Sequence, residues 1–182
     1  MAITIIAGIY KGRKIECPAG VPTRPLLAIA KKSLFDILTP VILGSKFLDL
    51  FAGVGSVGIE ALSRGAKKAV FIENNMRCVK SIEETLFRIG AINNASVIPC
   101  DASGKLPLNE KFDIIFIGPP YKMKQLDTQI ANSSCYLEEN GILIGQHHFK
   151  EILPDSIGNL ECFRQKQYGD MRLSFYKKGK KK

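Results

Sequence analysis

The chain has 182 residues, 46% hydrophobic and 24% charged, a make-up and length that fit one domain with an ordinary soluble core and surface. No stretch approaches the roughly twenty apolar residues of a membrane span, and the short apolar opening runs into Lys11, Arg13 and Lys14, so a soluble, cytoplasmic protein without a membrane partner is expected. A formal charge of +9 draws phosphate polymers by counterion release and makes nucleic acid the leading partner, while cysteines 17, 78, 100, 135 and 162, odd in number and without CxxC, argue against a disulfide framework or zinc site and for reduced, mostly buried thiols.

Residues 3–7 and 13–17 read as two strands joined through Gly8-Ile-Tyr-Lys-Gly12, a basic β-hairpin ahead of the main fold. Pro18, Gly20, Pro22 and Pro25 make an irregular linker. A helical pattern follows, with Ile29, Leu34, Ile37 and Leu38 on one face and Pro40 as its stop. From Lys46 the pattern alternates: strand 46–51, glycine loop, helix 56–64 ending at Gly65, strand 68–73, helix 75–89 ending at Gly90. Alternation of this kind predicts βαβ units and a parallel sheet. Helix 75–89 should bury Val79, Ile82, Leu86 and Ile89 and leave Lys80, Glu83, Glu84 and Arg88 in water. Further strands are expected at 96–100, 112–117 and 142–146, with a helix near 124–133. A terminal pair, 160–167 and 171–176, should close around Tyr168-Gly-Asp170 as a hairpin at a sheet edge. The division is then 1–25 for hairpin and linker, 26–176 for the main domain and 177–182 for a disordered basic tail.

The chemistry is carried by Asp49-Leu-Phe51-Ala52-Gly53-Val-Gly55-Ser-Val-Gly58, where a strand turns into a helix and glycines let the backbone approach a ligand. Gly53, Gly55 and Gly58 satisfy GxGxxG, and Glu73, followed by Asn74, ends the next strand where a ribose-binding acid belongs, so a dinucleotide oxidoreductase has to be weighed. Three features oppose it. Asp49 at the strand tip would repel a pyrophosphate, but it suits the ammonium and sulfonium of S-adenosylmethionine, whose ribose hydroxyls Glu73 could bind. Asp101, with Ala102 after the third strand, can accept from an adenine amine. Gly118-Pro119-Pro120-Tyr121 follows an apolar strand, where a rigid turn could aim a carbonyl and an aromatic ring at a flipped base.

These residues resemble the RsmD-type small-subunit ribosomal RNA guanine-N2 methyltransferases over nearly the whole chain. The likeness includes Ile6-Ala-Gly-Ile-Tyr-Lys-Gly-Arg-Lys14, Thr23-Arg24-Pro25, Leu34-Phe-Asp-Ile-Leu38, Asp49 to Gly58, Glu60-Ala-Leu-Ser-Arg-Gly65, Pro119-Pro-Tyr121, Tyr168-Gly-Asp170 and Arg172-Leu-Ser-Phe-Tyr176. The resemblance implies a class I, Rossmann-like methyltransferase fold, α/β with a mostly parallel seven-stranded sheet and an N-terminal β-hairpin extension that grips RNA. It also implies S-adenosylmethionine as donor and, as target, a guanine of 16S ribosomal RNA, position 966 in the customary numbering, on the assembled small subunit; a monomer and transfer without a metal are expected. Lys11, Arg13, Lys14 and Arg24 are the expected phosphate contacts. Four positions depart from the family. Gly118 stands where it carries Asp or Asn, whose side chain accepts from the target amine; Ala28 and Ile29 stand for an Asp and an Arg; Met171 replaces a polar residue. With Gly118, the Pro119 carbonyl and Tyr121 are left to orient the base. A catalytically weak RNA-binding assembly factor and an amine methyltransferase on another nucleic acid are the alternatives.

Overall fold

The computed structural model describes residues 2–20, 26–120 and 125–179. Thr23, Arg24, Pro25 and Tyr121 lie outside them, as do Lys180 to Lys182. The hairpin comprises β1 (Ala2–Thr4) and β2 (Lys14–Glu16), antiparallel and separate from the main sheet. It is followed by α1 (Ala28–Ile42), β3 (Lys46–Leu50), α2 (Ser56–Ser63), β4 (Lys68–Ile72), α3 (Met76–Ile89) and β5 (Ala95–Ile98). The remainder is β6 (Phe112–Ile117), α4 (Leu126–Ser133), β7 (Leu137–His148), β8 (Ser156–Ile157), β9 (Leu160–Tyr168) and β10 (Met171–Lys178).

The main sheet has the order β5-β4-β3-β6-β7-β10-β9-β8. Strands β3 to β7 are parallel, and β10, β9 and β8 add antiparallel. It therefore has eight strands among the described residues, one more than expected, because two-residue β8 pairs with the start of β9. The terminal hairpin lies at one edge of the sheet as expected: β10 pairs with β7, β9 pairs with β10, and two-residue β8 is outermost.

Strand alternation sorts the core into two layers. Phe47, Ala69, Phe71, Ile114, Phe116 and Ile144 face the side of α1, α2, α3 and the hairpin, while Leu48, Leu50, Val70, Ile72, Ile115, Ile117 and Leu143 face α4. Each fully buried aliphatic or aromatic side chain contributes about 1.5–3 kcal/mol by leaving water. On α3, Cys78, Val79, Ile82, Leu86 and Ile89 are buried, the expected stripe, and Gly90 ends the helix in the left-handed region at φ 76°.

Several expectations give way. Pro40 does not end α1, which continues to Ile42; a proline in the last turn forfeits a single backbone bond, and burying Leu38 and Ile42 outweighs it. Ile29 is 68% exposed, because the buried face is set by Ala30, Leu34, Phe35 and Leu38. All five cysteines are free, yet only Cys78 is buried; Cys17, Cys100 and Cys162 are half-buried and Cys135 exposed. The expected tail begins inside β10, which runs through Lys178, whose Nζ lies 3.4 Å from Glu139 Oε2. Met171 is buried in the core beside β7, where an apolar side chain fits.

Candidate active site

Parallel strands β5, β4, β3, β6 and β7 end along one edge of the sheet. Between β3 and β6 the strand order reverses, which opens a crevice outside their carboxyl ends. Three backbone bonds knit this edge: Glu73 N–H donates to Ile98 O at 3.3 Å, Ala52 N–H to Ile72 O at 3.0 Å, and Gly118 N–H to Leu50 O at 3.2 Å. They fix the loops after β4, β3 and β6 side by side. Phe51, Ala52, Gly53, Gly55, Glu73 and Gly118 thus come together, as the sequence motifs require.

The glycine loop is held open from both ends. Phe51 takes φ 58°, a left-handed conformation costly for a bulky side chain, followed by Gly53 at 55° and Gly55 at 73°. Gly58 has a packing reason: a Cβ there would stand 2.3 Å from Phe71 Cε1, so only glycine lets α2 approach the sheet this closely. Glu73, 9% exposed, accepts from Gly53 N at 2.7 Å through Oε2 and from Asn75 N at 2.8 Å through Oε1. Each carboxylate oxygen has a second lone pair, so these bonds orient the group and leave acceptor capacity for a ligand hydroxyl. Asn74 is exposed at the rim. Asp101 is exposed too; the Ser103 backbone N–H at 2.9 Å and hydroxyl at 2.7 Å hold its carboxyl below the usual range, while Ala102 tucks into the core.

Asp49 sits one residue short of the end of β3 and is 2% exposed. Its Oδ2 accepts from Gly58 N at 2.9 Å, so it ties the first turn of α2 to the strand, where the helix's positive end favours an acid. Burial raises its carboxyl to about 8, opposed by the Gly58 bond and reinforced by the nearby Glu73 charge. Pro119 is buried and Pro120 exposed.

The basic residues lie elsewhere. Lys11, Arg13 and Lys14 are exposed on the hairpin. The hairpin turn is bonded to Ser63 at the far end of α2, through Ile9 N at 2.8 Å and Tyr10 N at 3.0 Å to its carbonyl and hydroxyl. Arg88, near the end of α3, reaches the Lys14 carbonyl at 2.6 Å. Both helices start at the crevice, so the basic hairpin lies one helix length from it, roughly 12 Å along α2 and roughly 20 Å along α3.

Two features were missed by sequence reasoning. Gln146 lies in β7 next to Gly118, since Ile117 pairs with Gly145; nothing local in Gly145-Gln-His-His148 points to a site. Glu60, fully buried, accepts from Ile6 N at 2.8 Å, Ala7 N at 2.9 Å and Arg64 Nε at 2.9 Å, with Lys31 Nζ at 3.3 Å, and so joins hairpin, α1 and α2. Its place in Glu60-Ala-Leu-Ser-Arg-Gly65 was the only signal.

This strand order, with a glycine loop and strand-end acid at the switch point, is that of a class I methyltransferase; the solved Escherichia coli protein yhhF superposes with a TM-score of 0.87 at 30% identity over 98% of each chain. Residues 3–177 match the family model described as conserved hypothetical protein 95, and the chain belongs to this family of RsmD-type ribosomal RNA methyltransferases. It is 34% identical to YlbH of Bacillus subtilis (strain 168), over 96% of this chain and 98% of that one. With ribosomal RNA small subunit methyltransferase D of Escherichia coli (strain K12) it shares 30% identity, over 97% of this chain and 90% of the other. Among the described residues no helix is long and apolar enough to cross a membrane.

Proposed function

We propose that the chain transfers a methyl group from S-adenosylmethionine to the exocyclic N2 amine of a guanine in 16S ribosomal RNA, position 966 on the small-subunit particle, in the cytoplasm and as a monomer. The observation that carries this reading is the joining, by backbone bonds, of the glycine loop and Glu73 to the Gly118-Pro-Pro turn, in a chain of this family. The donor set fits a sulfonium nucleoside. Glu73 is aimed by Gly53 and Asn75 with capacity for ribose hydroxyls, Asp101 stands exposed beyond β5 for the adenine amine, and Gly53 offers open backbone, its Cβ position meeting nothing within 4 Å. When bound, the cofactor would supply an electrophilic methyl on sulfur.

The chain's own part is positional. The Pro119-Pro120 turn fixes the direction of the chain after β6 and orients the base, and the loop after β3 orients the donor, so the rate rests on proximity and alignment. A base splayed from an RNA loop exposes the edge this geometry needs, which a duplex hides. Gly118, without the family's acceptor side chain, favours a second reading: a methyltransferase-like binder that assists assembly with weak chemistry.

Transfer of labelled methyl to small particles lacking the modification, with naked ribosomal RNA and DNA alongside, separates the two. Label on one guanine N2 is the expected result. Tight binding of particle and S-adenosylhomocysteine without label supports the binder, and label on DNA alone moves the substrate class.

A further inference from the structure

The place next to Gly118 is filled from the neighbouring strand. A Cβ built on Gly118 would stand 3.4 Å from the Gln146 side-chain oxygen Oε1 and 2.9 Å from Phe116 Cε1. The alternation that puts Phe116 and Ile144 on the α2 face of the sheet puts Gly118 and Gln146 on that face too, the side on which Asp49 meets the glycine loop. Gln146 is half-buried, and its amide makes no hydrogen bond among the described residues. An uncharged acceptor is thus presented within one contact distance of the position from which the family's acidic or amide side chain would project. A Cβ at 118 would crowd the Phe116 ring edge and stand in ordinary contact with Gln146 Oε1, so glycine leaves that oxygen open.

We propose that Gln146 Oε1 is the acceptor for the target's exocyclic N–H, replacing the side chain that Gly118 lacks; this rests on the amine-methyltransferase reading above. The lone pair of a base amine is delocalised into the ring and makes a poor nucleophile until the nitrogen pyramidalises. A carbonyl oxygen accepting one N–H turns the lone pair out of the ring plane and stabilises the positive charge that grows on nitrogen. In the transfer the N–C bond forms as the C–S bond breaks, and the electron pair stays on sulfur, which becomes a neutral thioether. The methylated nitrogen then releases one proton to water, since a neutral amide does not take it. No oxidant, reductant or metal enters the balance.

The test is methyl transfer to the unmodified small particle under saturating and limiting substrate, for the native chain, Gln146→Met and Gln146→Glu. Methionine is close in size and lacks the acceptor; glutamate restores it. Gln146→Met is expected to lower kcat about 100-fold, the usual effect of removing one positioned hydrogen-bonding group, with KM, S-adenosylhomocysteine affinity and Tm near native. Gln146→Glu should keep at least a tenth of the native kcat. A Gln146→Met kcat within threefold of native overturns the proposal, as does a loss that tracks weaker cofactor binding or a lower Tm. A native protein that methylates nothing overturns both the proposal and the reading beneath it, whereas an active native protein with an equally active Gln146→Met overturns the proposal alone.

Discussion

Asp49 shows how one side chain's surroundings reassign it. An acid four residues before Gly53 is readable from spacing, and so is its place at the glycine loop. Its direction is not, because that depends on how closely α2 returns over β3, which Gly58 and Phe71 decide together. Enclosed on that face, the carboxyl keeps its proton to about pH 8, chiefly through burial, whereas in the unfolded chain it releases it near 3.8. Between those values the folded state binds the extra proton, so rising pH removes stability across that window and no more above it. Asn at 49 has nothing to titrate. The expectation is that the ligand-free native chain loses stability relative to Asp49→Asn from pH 5 to pH 8, and that the difference levels off beyond. Urea midpoints of the two proteins at pH 5, 6, 7, 8 and 9 measure it, and parallel curves would show an Asp49 that ionises normally. Gln146 was illegible for a related reason: its neighbour Gly118 is brought to it by strand pairing, and no local pattern signals that meeting.

Helices and strands whose hydrophobic period agrees with their stop signals were legible. Residues 75–89 carry a regular stripe between Asn75, whose side chain caps Arg77 N at 3.0 Å, and Gly90, and α3 follows that reading nearly to the residue. α1 was read less well, since Pro40 is a strong local signal that tertiary burial of Ile42 overrides. The hairpin is the element whose attachment could not be read at all. Its strands are three residues each, too short to hold alone, and two of its amides end on one carboxylate of α2. Gly8 permits this closeness; a Cβ there would lie 1.8 Å from Ser63 O, and φ 85° already demands glycine. Lys31, 1% exposed and with its ammonium disfavoured by burial, depends on Glu60 for its charge. Glu60→Gln leaves that ammonium uncompensated, at a cost of about 3–5 kcal/mol and hence a Tm lower by on the order of 10 °C. Lys31→Met should cost less, because Glu60 keeps Arg64 and both hairpin amides. Calorimetry on the three proteins decides it, and equal losses for the two variants would mean that Glu60 stabilises the fold through the Lys31 ion pair and not through the hairpin amides.

Across the whole molecule, a strand-end crevice made of acids, glycines and a proline turn is separated from a basic hairpin by the lengths of α2 and α3. Composition alone announced an attraction for phosphate, and the resemblance assigned it to Lys11, Arg13 and Lys14; neither could say that these residues sit at the opposite ends of α2 and α3 from the chemistry. The separation divides the work. If the hairpin grips RNA at a distance, it sets affinity and salt dependence without touching the cofactor or the methyl-transfer step. Each lost phosphate contact on single-stranded RNA should flatten the slope of log affinity against log salt by about 0.7, so replacing Lys11, Arg13 and Lys14 together with Ala should flatten it by about 2 and weaken binding alike on any sequence. The affinity for S-adenosylhomocysteine should be unchanged, and kcat at saturating particle should stay near native while KM rises. Titrations of native and triple-variant protein against the small particle from low to moderate salt test this. An unaltered slope removes the hairpin from the RNA interface and leaves Arg77 and Lys80, exposed on the first turns of α3 and nearer the crevice, to carry the contact.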